Sequence, residues 1–303
     1  DGCIHDGWLV LRDENALFDK RFLYYYLSSK TTYKKLKSMA VGGVVNNLNS
    51  EMVRNVIVPV PDKEEQSEIA DLFDKIKKIL DDRKQELEQL DTLVKSRFVE
   101  MFGDIITGKY NYKIRKLGDV AFIGSSHRVF TTEFVESGIP FYRGTEIGEL
   151  ANGIEPSEPY YISEEHYNKL TKDNTKPRIG DLLMPSICNK GQIWMVDTDR
   201  PFYYKDGRVL CISPNRDIFN SKYLEYFMRI KTLVEYPKLG SGSTFAEFKI
   251  FLLKDMDVLV PPRNVQNQFA DFVASVDKSK SKIQKSLEET QRLFDSLMQK
   301  YFG

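Results

Sequence analysis

Cysteine is scarce in this 303-residue chain: Cys3, Cys188 and Cys211 are the whole complement, odd in number and widely separated. That excludes a disulfide framework and a zinc site built on paired cysteines, and it leads us to expect a reducing cytoplasm. Histidine is equally thin, with His5, His127 and His166 scattered and none at ligand spacing. Long apolar runs are missing. A stretch such as Ile250 to Leu253 is far too short to cross a bilayer, so no membrane association is expected. No charged-then-apolar leader opens the sequence, which gives no expectation of secretion. The first residue is Asp1 and not methionine, which leads us to expect a piece of something longer. Net charge is absent too, 44 Lys and Arg balancing 44 Asp and Glu. This argues against sequence-blind nucleic-acid binding, which needs a basic excess, so any polyanion must be met by locally gathered cations or through a partner.

What is present is a repeat. At a period of 200 residues Asp6-Gly7 recurs as Asp206-Gly207, Gly42 as Gly242, and Val58-x-Val60-Pro61 as Val258-x-Val260-Pro261. Gln66, Ala70-Asp71, Leu87, Leu93, Ser96 and Phe102-Gly103 recur as Gln266, Ala270-Asp271, Leu287, Leu293, Ser296 and Phe302-Gly303. Chance would supply roughly six identities over such an overlap. Two copies at so long a period mean duplicated domains and not a solenoid. The first copy is incomplete, because residues 104–206 have no counterpart ahead of Asp1.

Both copies end in the same layout. A strand candidate (Trp8 to Leu11; Val209 to Ile212) leads to an aromatic helix (Phe22 to Met39; Tyr223 to Val234). A glycine loop follows (Val41 to Asn47; Leu239 to Thr244), then a strand closing on proline (Val53 to Pro61; Met256 to Pro262). Asp62 followed by Glu65 reads as a capping box opening a long helix. Ile69, Leu72, Ile76, Ile79, Leu87, Leu90, Val94 and Met101 keep a three-four spacing broken at Arg83, which is a coiled-coil seam. From Glu65 to Phe102 such a helix runs about 55 Å. Its copy, from Val265 to Phe302, has a weaker seam with Lys278, Lys280 and Lys282 in the middle. Two seams of one length most simply pack on each other, antiparallel if the globular parts lie at opposite ends; packing of each on its own domain is the alternative. Residues 113–206 carry short apolar stretches between turn signals, a mostly β region whose sheet would be completed by the strand-helix-strand at 207–262.

These units resemble the specificity (S) subunits of type I restriction-modification systems. The matching residues are Val58-Pro59-Val60-Pro61-Asp62-Lys63-Glu64-Glu65-Gln66 and Val260-Pro261-Pro262-Arg263-Asn264-Val265-Gln266, with Ile179-Gly180-Asp181-Leu182-Leu183 and Gly240-Ser241-Gly242-Ser243-Thr244. Each motif alone is unspecific; their order, repeated at equal spacing along the whole chain, is specific. The resemblance implies an α+β fold: two mixed α/β target-recognition domains, the first partial, separated by two long helices pairing as an antiparallel coiled coil. The expected boundaries are 1–61 for the partial domain, 62–103 for its helix, 104–262 for the second domain and 263–303 for the second helix. It further implies that each domain reads half of a bipartite site in double-stranded DNA, with the helices as spacer. The helices would dock modification (methyltransferase) subunits, two of them, and restriction subunits through these. Gln66, Leu72, Ile76, Gln266, Phe272 and Leu287 are the candidates for that docking surface. S-adenosylmethionine, ATP and Mg²⁺ are expected on the partners and no cofactor or metal on this chain.

The residues agree with a non-catalytic reading. There is no Asn/Asp-Pro-Pro-Tyr/Phe methyltransferase motif and no Gly-(x)4-Gly-Lys-Ser/Thr phosphate loop. Glu247-Phe248-Lys249 has the Glu-x-Lys form of many nucleases, but its counterpart is Asn47-Leu48-Asn49 and no acidic residue is well placed before it. For DNA contact, Ser125-Ser126-His127-Arg128 is a polar loop whose serines suit phosphate and whose arginine suits a guanine edge. Asn189-Lys190-Gly191-Gln192 combines adenine-competent amides with a lysine on a glycine turn. Lys238 with Ser241, Ser243 and Thr244 forms a small-residue loop fit for a phosphate, and Arg143 with Thr145 is a fourth candidate. A solvated turn is the bland reading of each. Lys30, Lys34, Lys35 and Lys37 line one helix, where lysines ordinarily just solvate, while Phe22, Tyr24, Tyr25 and Tyr26 read as core. The rival function is a coiled-coil scaffold with protein-binding β domains; a single-chain nuclease is a third.

Overall fold

A computed structural model describes residues 9–40, 48–173, 176–240 and 246–303. They divide into two compact units, Asp1–Thr92 with Asp277–Gly303, and Leu93–Val276. No described helix is long and apolar enough to cross a membrane.

The first unit is helical: α1 (Lys20–Ser28), α2 (Lys30–Met39), α3 (Ser50–Arg54) and the first three-quarters of α4 (Lys63–Phe102). The single helix expected from Phe22 to Met39 is broken at Ser29, whose backbone is extended and whose hydroxyl accepts the Thr32 N–H as the cap of α2. The expected strand from Val53 to Pro61 is α3 followed by irregular chain, and Leu9 to Leu11 form no strand. The physical reason is common to both: the described residues of this unit contain no strand to pair with, and a lone edge cannot hold a ladder. The glycine loop 41–47 and Trp8 lie outside the described residues.

Phe22, Tyr25 and Tyr26 are buried against Ile69, Ala70 and Phe73 of α4 and Phe302 of α10 (Arg263–Phe302), as their reading as core requires. Tyr24 instead faces outward, 53% exposed. Within this unit Phe73 packs on Phe294 at 5.3 Å and on Phe302 at 5.6 Å, while Asp91 pairs with Lys280 at 2.7 Å. The two helical segments therefore run antiparallel here. The buried stripe of α4 passes through Ile69, Phe73, Ile76 and Leu80; Leu72 is half-buried, and Ile79, assigned to the seam from its spacing, is 45% exposed. Arg83 interrupts the stripe: one guanidinium nitrogen meets Glu86 at 2.7 Å, and its Nε is buried with no partner among the described residues.

The second unit opens, beyond the end of α4, with a short ladder of β1 (Gly103–Asp104) and β2 (Lys109–Tyr110), then β3 (Lys113–Lys116) and α5 (Leu117–Val120). There follow β4 (Ala121–Gly124), β5 (Phe134–Val135), β6 (Ile139–Tyr142), α6 (Gly144–Leu150), β7 (Tyr160–Ile162) and α7 (Glu164–Leu170). After these come β8 (Leu182–Pro185), β9 (Trp194–Met195), β10 (Tyr203–Tyr204), β11 (Val209–Pro214), α8 (Ser221–Glu235), α9 (Ile250–Lys254) and β12 (Asp257–Val260). One sheet has the order β4-β11-β8-β9, all antiparallel; the other is β10-β6-β7-β5, with β10 parallel to β6. The two share one apolar cluster in which Tyr142, Leu183, Trp194, Phe202, Tyr204 and Val209 are buried together. The closing strand β12 does not complete that sheet, as expected of 207–262; among the described residues it pairs with β3 alone. Here too the helices pack together, Phe98 and Phe102 meeting Phe269 at 5.4 and 5.5 Å.

The repeat has a structural core. Gln66 and Gln266 are each fully buried. Gln66 accepts the Asp19 N–H at 2.7 Å and donates to Leu17 O at 3.1 Å and Pro61 O at 2.8 Å. Gln266 accepts the Asn220 N–H at 2.8 Å and donates to Ile218 O at 2.9 Å and Pro261 O at 2.8 Å. Asp19 and Asn220 also cap the following helices, α1 and α8, with their side chains. One amide thus ties the start of a long helix to the cap of an earlier helix, α1 in the first copy and α8 in the second. Upstream of the prolines these partners stand 201 residues apart, one out of step with the 200-residue period.

Candidate nucleic-acid interface

The ends of β6 and β8 and the turn joining β10 to β11 converge on a groove of about 490 Å³ in the second unit. The turn is Asp206-Gly207, with Gly207 in the left-handed region at φ +61°, and it carries Lys205 and Arg208 on either side. Ser186, just past β8, donates its N–H to Arg208 O at 2.8 Å and accepts the Phe248 N–H at 2.7 Å, so three segments are laced at one residue. The groove gathers Arg143 and Thr145, at the start of α6, with Asn189 and Gln192, from the loop after β8, and adds Lys205 and Arg208. Those two were missed by sequence reasoning. A partial signal was available, because Asp-Gly is a turn mark and two cations flank it, although the turn joins strands of different sheets and is not a hairpin.

Each candidate has a definite place. Gln192 accepts the Lys190 N–H at 3.0 Å, its one hydrogen bond through the side chain among the described residues, so its amide nitrogen faces no partner there. The turn depends on Gly191 at φ +67°, where a Cβ would come within 2.8 Å of Arg229 O. Asn189 and Lys190 stand exposed on it. Arg143 donates to the buried Glu146 at 2.5 Å and lies 4.6 Å above the Tyr160 ring. Burial pushes the Glu146 carboxyl up, but bonds from Arg143 and from backbone N–H groups outweigh it and hold the group below its ordinary value.

The serines of the Ser125–Arg128 loop are committed internally. Ser125 Oγ donates to Val209 O at 3.0 Å and accepts the Gly207 N–H at 2.8 Å, and Ser126 Oγ donates to Tyr204 O at 2.5 Å. Their hydroxyls fasten the loop to the β10–β11 turn, and do not stand open for phosphate. His127 meets Asp173 at 2.6 Å, and the largely exposed Arg128 meets Asp206 at 3.2 Å, which brings it beside the groove's turn. Lys238 pairs with Glu235 at 3.1 Å; Ser241, Ser243 and Thr244 lie outside the described residues. Asp181, from the Ile-Gly-Asp turn, is buried and bonds the Arg178 N–H and Arg216, a bracket for the start of β8.

Of the docking candidates, Gln66 and Gln266 have no surface to offer, being buried and bonded within the chain as described above. Ile76 is buried, and Leu72, Phe272 and Leu287 are half-buried. Of the lysines on α2, Lys30 pairs with Asp295 at 2.8 Å. Among the described residues no three His, Cys, Asp or Glu side chains gather as a metal would need. Glu247 instead pairs with Arg208 and Lys249. Burial pushes the free thiols of Cys188 and Cys211 up to about 11 and about 12, far from nucleophilic.

A paired long-helix frame carrying a β-rich unit, with amides and cations around an open groove, defines a recognition module. The sequence pattern of the family described as "Type I restriction modification DNA specificity domain" matches residues 3–90 and 109–290, and the chain belongs to that family. It is 23% identical over 321 residues to the type I restriction enzyme MjaVIII specificity subunit of Methanocaldococcus jannaschii, covering 96% of this chain and 73% of that one. In fold it is similar to a chain from a structural study of complex assembly and conformational transition of the type I R-M system (TM-score 0.63, 18% identity, 96% of this chain and 73% of that one). It is also similar to the type I restriction-modification S subunit from M. genitalium (TM-score 0.56, 17% identity, 95% and 73%). The protein is a sequence-specific DNA-recognition subunit of the type I restriction-modification kind, with the α+β architecture that the resemblance implies.

Proposed function

We propose that residues 104–262 form a target-recognition domain that reads half of a bipartite duplex site through the groove bounded by β6, β8 and the β10–β11 turn. The observation that carries this is the convergence there of Arg143, Thr145, Asn189, Gln192, Lys205 and Arg208 from distant parts of the sequence. Amides suit adenine, arginine suits guanine, and lysines suit phosphate. The helices 62–103 and 263–303 serve as the spacer and dock two modification subunits, with restriction subunits joining through these, in the cytoplasm. Methylation and cleavage, with S-adenosylmethionine, ATP and Mg²⁺, belong to those partners. The lack of methyltransferase and phosphate-loop motifs supports this division, as does the engagement of the Glu247 carboxylate with two cations.

The test is selection of bound duplexes from a random pool by the full chain assembled with its modification subunits. Gln192→Ala should relax the preference at one base pair by about 1–3 kcal/mol, whereas Lys190→Ala should weaken all sequences alike. A sequence preference that survives both Gln192→Ala and Asn189→Ala unchanged places the reading elsewhere.

A further inference from the structure

Arg208 is held in a way that a mere phosphate contact does not require. Its guanidinium donates through Nη1 to Glu247 Oε1, and the other carboxylate oxygen takes Lys249 Nζ at 2.6 Å. The side chain of Glu247 is only 15% exposed, while that of Arg208 is 57% exposed. Glu247 is anchored through its neighbour: Phe248 is buried, and its N–H donates to Ser186 O at 2.7 Å. Ser186 N–H in turn donates to Arg208 O at 2.8 Å. The backbone of the arginine and the segment carrying its carboxylate are therefore fixed to the same residue at the end of β8. Nε and Nη2 of Arg208 have no partner among the described residues.

A guanidinium with one edge clamped by a carboxylate keeps a planar fork of donors with its rotation removed, and loses much of its attraction for a bare phosphate. Guanine presents O6 and N7 as adjacent acceptors in the major groove, a spacing that fork matches and a point charge does not. Nothing about the Glu-x-Lys spelling needs a metal here, because both carboxylate oxygens already face cations. Resting on the reading that this groove meets DNA, we propose that Arg208 reads a guanine and that Glu247 is the positioning residue that sets its plane.

The experiment is the same duplex selection with the complete assembly, comparing wild type, Arg208→Lys and Glu247→Gln. Arg208→Lys keeps the charge and loses the fork. It should erase the preference for guanine at one base pair, a loss of about 5- to 150-fold, with the other positions of the half-site and the salt dependence of binding kept. Glu247→Gln should weaken the preference at that same base pair and no other, a pattern that a misfolded or merely destabilised variant does not produce. Uniform loss of affinity across all sequences in both variants, or a guanine preference unchanged by either, overturns the assignment while leaving DNA reading by the groove in place. Absence of any sequence preference in the wild-type assembly removes both together.

Discussion

A buried primary amide with three hydrogen bonds is a demanding thing to replace, and this chain uses one twice. Replacing Gln66 with methionine keeps the volume and strands the Asp19 N–H together with the Leu17 and Pro61 carbonyls. Each buried group left without a partner costs about 1–3 kcal/mol. The Gln66→Met variant should therefore shift the urea midpoint markedly downward, and Gln266→Met should do so by a comparable amount, since its bonds are of the same kind and length. An unchanged midpoint in either variant would show that water takes over the amide's role. The effect belongs to the joint and not to a docking surface, so binding of partners should follow stability in these variants and not fall independently of it.

At the scale of elements, the long helices were the most legible part of the sequence. Neither contains Pro or Gly, both carry recurring apolar residues, and Asp62 caps the first, its side chain accepting the Glu65 N–H at 2.8 Å. What spacing could not fix was the register of the stripe, because Leu72 and Phe73, or Ile79 and Leu80, satisfy the three-four pattern equally well until the opposing helix is present. The opposing residues are Phe294 and Phe302, more than 200 positions away. Phe73→Ala should accordingly cost about 3–5 kcal/mol, the usual penalty for emptying a buried phenylalanine site. Ile79→Ala, on the exposed side, should stay within about 0.5 kcal/mol of wild type by the same denaturation measurement. Reversal of that ranking would put the seam back on the face read from the sequence. The strands of the second unit were legible from their short apolar stretches, and those expected in the first were not real, because alternation alone says nothing about whether a pairing partner exists. The groove was half legible: the polar loops could be named, while their convergence on the Asp206-Gly207 turn, and the use of the Ser125 and Ser126 hydroxyls as fasteners, depend on contacts across some 80 residues.

Taken whole, the chain has no net charge, and its attraction for DNA has to come from a small set of cations. Arg128, Lys190, Lys205, Arg208 and Lys249 are exposed on or beside the groove, and Arg128, Arg208 and Lys249 are already partly neutralised by carboxylates. Counterion release then predicts a shallow dependence of binding on salt. The slope of log K against log salt should be about −2 to −4 for this chain's own contribution, at about −0.9 per phosphate neutralised. Titrations of a single half-site duplex at several salt concentrations measure it directly. A slope near −10 would require phosphate contacts well beyond the groove.

The two glutamine joints also bear on how such a protein changes its target. Each joint closes within one continuous stretch, Gln66 reaching back 49 residues to Leu17 and Gln266 reaching back 48 to Ile218. Neither takes a bond from the segment between Phe102 and Ile218, where the groove residues of β6, β8 and the β10–β11 turn reside. A recombined segment must still satisfy its own sheets, meet α8 and β12, and fit the long helices where Tyr112 touches Phe102 and the Arg216 carbonyl takes Arg263, but neither glutamine joint has to be rebuilt. Exchange of that segment should therefore leave both glutamine joints intact, so a new reading head need not disturb how each long helix is anchored at its start.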